Sequence, residues 1–271
     1  MCHVCVMESV KERMINRRAL FRGGAALGAA AATTGLTGTP ALADGHGSIR
    51  DMTHVYDPAF PTYFGEPGIA LEKKFDFADA GFNLFELTVN EHTGTHIDAP
   101  LHFSADGRSV DEIPVGNLIV PLCVVDIRER ADGDPDAQVT PDDLTAWIGD
   151  NGDIPDRACV AMNSGWAEKV ATDAYRGADG EGGMHFPGFH PEATAMLLET
   201  SAAAIAVDTL SLDHGPSADF ATHYAWLPSG RYGIENLAGL SNVPAAGATL
   251  VVGAPTHRGG TGGPARVFAM V

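Results

Sequence analysis

The chain has 271 residues and an apolar content of 45%, enough for one compact domain with a sizeable core. Its formal net charge is −18, and a basic first segment conceals part of that acidity. Such a surface repels phosphate backbones and anionic lipid, which argues against nucleic-acid or membrane partners. Four cysteines are present. Cys2 and Cys5 fall in the first segment, while Cys123 and Cys159 sit in apolar runs as buried thiols, so no disulfide framework is expected.

Asn16-Arg17-Arg18-Ala19-Leu20-Phe21-Arg22 precedes an Ala- and Gly-rich apolar stretch reaching about Ala32, then Thr39-Pro40-Ala41-Leu42-Ala43. This is the layout of a signal peptide with a small-x-small cleavage point, and the paired arginines point to the twin-arginine export route. The apolar run is too short and too rich in Gly to span a membrane. Residues 1–43 are therefore expected to be removed and residues 44–271 to work in the periplasm. Residues before Met14 do not look like a signal n-region, which leaves Met1, Met7 and Met14 as possible starts.

Along the mature chain, residues 82–90 read as a strand leading into a His-rich stretch. Leu118–Ile127 is a nearly continuous apolar run with β-branched residues, the mark of a buried strand. Thr140-Pro141-Asp142-Asp143 starts a helix, with a Thr cap, Pro in the first turn and acids at the positive end. Residues 158–163 and 204–208 read as buried strands, Pro191–Thr200 as a helix between them, and 248–253 and 265–270 as the last strands. The long Gly-rich loop 175–190 has the character of a lid or substrate loop. Strands mixed with few helices predict a single α/β or α+β domain.

Chemistry concentrates in Glu91-His92-Thr93-Gly94-Thr95-His96-Ile97-Asp98-Ala99-Pro100-Leu101-His102. His92, His96, Asp98 and His102 are all of a type that binds divalent metal. Gly94 and Pro100 rule out a single helix face. On an extended segment His96 and Asp98 point to the same side, and the Thr93-Gly94-Thr95 loop can fold His92 back beside them. Two imidazoles and a carboxylate leave coordination positions open, as catalytic sites do. His54, His185, His190, His214 and His257 are scattered and read as loop or structural residues. Trp166 and Phe186 read as core or as walls of an aromatic pocket. Ser164 lacks the Gly-x-Ser-x-Gly frame of a nucleophile. Gly259-Gly260-Thr261-Gly262-Gly263 lacks the ending of a phosphate loop and reads as a turn.

The pattern His-x-Gly-Thr-His-x-Asp-x-Pro-x-His resembles the signature of the cyclase family of metal hydrolases, which includes bacterial kynurenine formamidases and isatin hydrolases. Val207-Asp208-Thr209-Leu210-Ser211-Leu212-Asp213, His223 with Glu235-Asn236-Leu237, and Gly262-Gly263-Pro264-Ala265-Arg266-Val267 resemble later segments of that family, in order. The resemblance covers the chain from about Ile49 to its end. It implies a swivelling β/α-type fold, an α/β single domain with a mixed β-sheet or barrel core and flanking helices. It assigns His92 and His96 to one metal, makes Asp98 and Glu235 shared carboxylates, places His223 on a second metal, and makes His102 the proton donor and acceptor. One or two divalent ions, zinc or manganese, are implied, together with a homodimer or higher homo-oligomer.

Tyr63-Phe64-Gly65 and Thr222-His223-Tyr224-Ala225-Trp226 depart from the formamidase pattern. Tyr63 and Phe64 occupy positions that line the family's substrate pocket. The implied reaction is hydrolysis of a C–N bond in a small amide, kynurenine formamidase-like, with isatin-like lactam opening as the alternative. A non-enzymatic periplasmic metal or ligand carrier is the rival from another class, and His102, which storage does not need, argues against it.

Overall fold

The structure, a computed structural model, describes residues 48–271. The leader read over residues 1–43, its cleavage point, and Cys2 and Cys5 lie outside the described residues.

Three apolar runs set the centre of the sheet. They are β5 (Ile119–Asp126), β7 (Cys159–Asn163) and β9 (Ala204–Val207), paired in parallel. Alternate side chains on each strand go to opposite faces. Val120, Leu122, Val124, Cys159, Ala161, Ala204 and Ala206 enter one apolar cluster. Cys123, Val125, Val160, Met162, Ile205 and Val207 enter a second. With both faces covered, the strands have no polar side, which is why they read as continuous apolar runs.

The second cluster is closed by helices: α3 (Pro141–Asn151), α4 (Pro191–Leu198) and α5 (Ala221–Trp226) contribute Leu144, Trp147, Ala193, Leu197 and Trp226. Helix α3 begins as its sequence predicts. Thr140 Oγ1 accepts from the Asp143 amide and the Asp143 carboxylate accepts from the Thr140 amide at 2.7 Å, which satisfies two end groups reciprocally. The guanidinium of Arg130, on α2 (Arg128–Gly133), forks onto the same carboxylate.

On one side of the parallel strands lie β11 (Ala248–Gly253), β13 (Arg266–Met270) and β1 (Ile49–Asp51), all antiparallel. On the other, β10 (Tyr232–Glu235) runs parallel to β9, followed by antiparallel β4 (His96–Asp98) and β12 (Gly262–Pro264). The order β1-β13-β11-β5-β7-β9-β10-β4-β12 gives a nine-stranded mixed sheet, curled as a half-barrel around the first cluster. Small inward residues on β7 and β9 leave room for Met52, Ile97, Tyr232, Ile234 and Leu250. A short parallel pair, β6 (Gln138–Val139) and β8 (Gly188–Phe189), lies outside this sheet.

Among the described residues, 72–86 fall outside the main unit, which holds 48–71 and 87–271. Residues 72–86 carry most of β2 (Ile69–Phe75), the short α1 (Phe77–Ala80) and the start of β3 (Leu84–Val89). Asp76 caps α1 by accepting from Ala78 N at 2.9 Å. The strand read over 82–90 is thus present as β3, but it pairs with β2 in a two-stranded sheet and leaves Leu84, Phe85 and Leu87 exposed.

Beyond the end of β9, buried Asp208 accepts from Ser164 Oγ at 2.6 Å and from the amides of Ser164 and Trp166, pinning the loop that follows β7. Burial raises its carboxyl to about 6, against the pull of those bonds. A folded-state pKa above the unfolded value of 3.8 contributes stability that is complete below pH 3.8 and is lost as pH rises through 6. The loss over that window is about 3 kcal/mol at most. Asp208→Asn should lower stability throughout, because an amide cannot accept from every donor, yet it should flatten the slope between pH 4 and 6. Denaturant titrations across that range measure the slope.

Candidate metal centre

Strand β4 carries the first candidate ligands. Its central residue, Ile97, enters the inner core, so His96 and Asp98 project together from the opposite face. Antiparallel pairing sets Glu235 beside His96 and Gly233 beside Asp98, which puts the Glu235 carboxylate on the same face. His92 is returned by the turn at Gly94, where φ is +64° and a Cβ would lie 2.9 Å from the Tyr56 ring. Only glycine meets both conditions without strain. His223 arrives from α5, where the Asp213 carboxylate accepts from the Thr222 amide at 2.7 Å and from His223 Nδ1 at 2.6 Å.

His96 Nδ1 bonds the Gly94 carbonyl at 2.8 Å, which leaves Nε2 facing inward, 3.3 Å from Asp98 Oδ1 and 3.4 Å from Glu235 Oε2. His223, held at Nδ1 by Asp213, turns Nε2 toward Glu235 Oε1 at 3.2 Å and Asp98 Oδ2 at 3.7 Å. His92 Nδ1 lies 2.7 Å from Asp98 Oδ1. Two sets of three ligand atoms result, His92–His96–Asp98 and Asp98–His223–Glu235. His96 Nε2 and Asp98 Oδ2 are buried without a hydrogen-bond partner. Lone pairs and carboxylates converging on unpartnered buried atoms fit a divalent cation, and these five residues would hold one or two.

The electrostatics point the same way. Burial alone depresses the His96 imidazole, but the Asp98 and Glu235 carboxylates outweigh it and carry it to about 9. His223 is raised well above its usual value by bonds to Asp213, Asp98 and Glu235 despite its burial. Asp98, though buried, is held well below the usual range by the surrounding imidazoles. Glu235 is raised by burial and by Asp98. In the metal-free protein, protons therefore hold the place of a cation and compete with it.

His102 belongs to neither set of ligand atoms. It sits in the turn Pro100–Phe103 directly after β4, and its ring stacks on His92 at 3.8 Å and 20°. Burial lowers it to about 4, so its imidazole is neutral near pH 7. A cavity of about 410 Å³ opens over this group, walled by Tyr63, Phe64, Phe103 and Phe220, a size suited to a small molecule. Phe220 stands at φ +51°, unusual for a bulky residue, immediately before α5.

No sequence signal marks Asp213, Phe103 or Phe220 for the site. Asp213 lies within the Val207–Asp213 segment, ten residues before the imidazole it orients, and no local pattern joins them. Among the described residues, none from the loop 175–190 lines this cavity. Tyr175 and Phe186 instead bury themselves with Phe60, Trp166 and Leu210 in a third apolar cluster. That cluster holds the loop at both ends, so it is an anchored segment rather than a lid, and Trp166 and Phe186 are core.

A half-barrel with imidazoles and carboxylates gathered beside an aromatic cavity forms a candidate metal centre open to a small molecule, and comparison with known proteins gives its family. The Cyclase family model matches residues 50–214. An isatin hydrolase from Roseibium aggregatum is 30% identical, covering 85% of this chain and 94% of the relative. A kynurenine formamidase from Salinibacter ruber is 26% identical over 61% of this chain and 69% of its own. The crystal structure of an isatin hydrolase bound to the product analogue thioisatinate superposes with a TM-score of 0.79 at 29% identity, covering 84% of this chain and 93% of that one. The chain belongs to the cyclase family of metal-dependent hydrolases.

Proposed function

We propose that this chain hydrolyses a C–N bond in a small, flat aromatic amide, with a cyclic amide of the isatin kind ahead of an N-formylated aryl amine. The observation that carries the reading is the convergence of His92, His96, Asp98, His223 and Glu235, of which all but Asp98 line a cavity walled by aromatic rings. The isatin hydrolase similarity over 85% of the chain supports the lactam. The formamidase similarity keeps the open-chain amide as the second reading.

A divalent cation bound by these residues would acidify water and polarise a carbonyl oxygen. The protein's own groups do the rest. The Tyr63, Phe103 and Phe220 rings hold a flat substrate by stacking and exclude water around it. His102, neutral and beside the ligand cluster, accepts a proton from the attacking water at a ring nitrogen and returns it to the departing nitrogen. No Ser or Cys nucleophile is needed.

The test is turnover of isatin, an N-formylaniline and an aryl ester by chelator-treated protein, before and after zinc or manganese is restored. Metal-dependent opening of isatin above the formanilide supports the reading, the reverse order favours the formamidase, and no turnover of any substrate leaves a carrier. Export to the periplasm is part of the same proposal, supported by Arg17-Arg18 and the Ala41-Leu42-Ala43 pattern, and N-terminal sequencing of exported protein tests it. So is self-association, supported by the exposed Leu84, Phe85 and Leu87 of β3, which light scattering measures.

A further inference from the structure

The Gly-rich segment before β12, read from sequence as a turn, has a second use. Thr261 Oγ1 lies 2.5 Å from Glu91 Oε2 and 3.0 Å from His92 Nε2. A carboxylate only accepts, and a hydroxyl has one proton to give. Thr261 therefore donates to Glu91 and accepts from His92, which must carry its proton on Nε2. Nδ1 then faces Asp98 Oδ1 at 2.7 Å, where a cation would take the place of a proton between them.

The surroundings hold this arrangement. The Thr261 amide also donates to Glu91, and His257 Nε2 bonds Glu91 Oε1 from the solvent side. The Thr261 carbonyl accepts from Ala99 N at 2.9 Å, and the next residue, Gly262, pairs with Asp98. A Cβ on Gly262 would lie 2.8 Å from His92 Cε1, and one on Gly260 would lie 2.1 Å from His257 Nε2. The glycines thus clear the space in which the hydroxyl meets the imidazole.

We propose that Thr261 and Glu91 are positioning residues that fix the tautomer of His92, so that Nδ1 rather than Nε2 presents its lone pair to the metal. The inference rests on the assignment of His92 as a metal ligand under the proposed function. Thr261→Val keeps the shape and removes the acceptor. Glu91→Gln can turn its amide toward Thr261, reversing the hydroxyl so that it donates to His92 and favours the opposite tautomer.

Two measurements decide it: the metal dissociation constant from competition with a chromophoric chelator, and the ring ¹⁵N shifts of His92 in the metal-free protein. Thr261→Val and Glu91→Gln should each weaken metal binding by about 10–100-fold and shift the Nε2-protonated signature of His92. Thr261→Ser, which restores the hydroxyl, should return both to wild-type values. Unchanged ring shifts and affinity in Thr261→Val would overturn the relay, as would loss in Thr261→Ser equal to that in Val. Wild-type protein that binds no divalent metal would instead overturn the functional reading, while the ring shifts still test the relay.

Discussion

Asp98→Ala is expected to abolish metal binding and hydrolysis together. Asp98 is the one side chain common to both sets of ligand atoms, with one oxygen facing His92 and His96 and the other facing His223. Removing it takes away a bridging ligand and the negative charge that offsets a cation. The lost transition-state stabilisation is several kcal/mol, about three or more decades in kcat/KM. The fold should survive, because Gly233 lies opposite on β10 and Ile97 keeps its place in the core. Metal analysis and turnover on the same preparation measure both effects. A variant that kept full metal content and normal rates would remove Asp98 from the site.

His102→Ala should behave differently. Its ring stacks on a ligand but belongs to neither ligand set, so bound metal should be largely retained. Loss of positioned proton transfer should cost roughly two to four decades in kcat. The deficit should shrink for an activated aryl ester, whose leaving group departs without being protonated. Burial keeps the wild-type imidazole unprotonated at neutral pH, so it is ready to accept a proton without prior loss of one. Metal content falling in step with rate would make His102 a ligand instead of a proton shuttle.

The parts of the molecule that were legible in sequence are those whose cause is local. Strands β5, β7 and β9 announce themselves because both faces are buried, and α3 because its cap, proline and acids are consecutive residues. The candidate ligand cluster shows itself because three of its members lie between residues 92 and 98, where alternation along an extended chain makes geometry readable. What stayed hidden is made by tertiary pairing. Gly262-Gly263-Pro264 has no intrinsic preference for a strand, and becomes β12 only because β4 offers an open edge. Phe103 and Phe220 come to pack against each other in the cavity wall, with ring centroids 5.7 Å apart, through the approach of two segments far apart in the chain. The 175–190 loop misleads because its glycines suggest freedom, while Tyr175 and Phe186, at its ends, are fully buried.

The candidate donor atoms come from two stretches, residues 92–98 and 223–235, which are more than a hundred residues apart, and β4 joins the sheet beside β10 from the second of them. Bringing such distant segments together is slow and comes late in folding. A cation that needs both stretches would therefore meet its complete set of donors only in the folded protein. Saturating metal should leave the refolding rate almost unchanged and slow the unfolding rate by nearly the whole factor that binding contributes to stability. A bound ion would then act as a lock on the native state, lengthening the protein's lifetime rather than guiding its assembly.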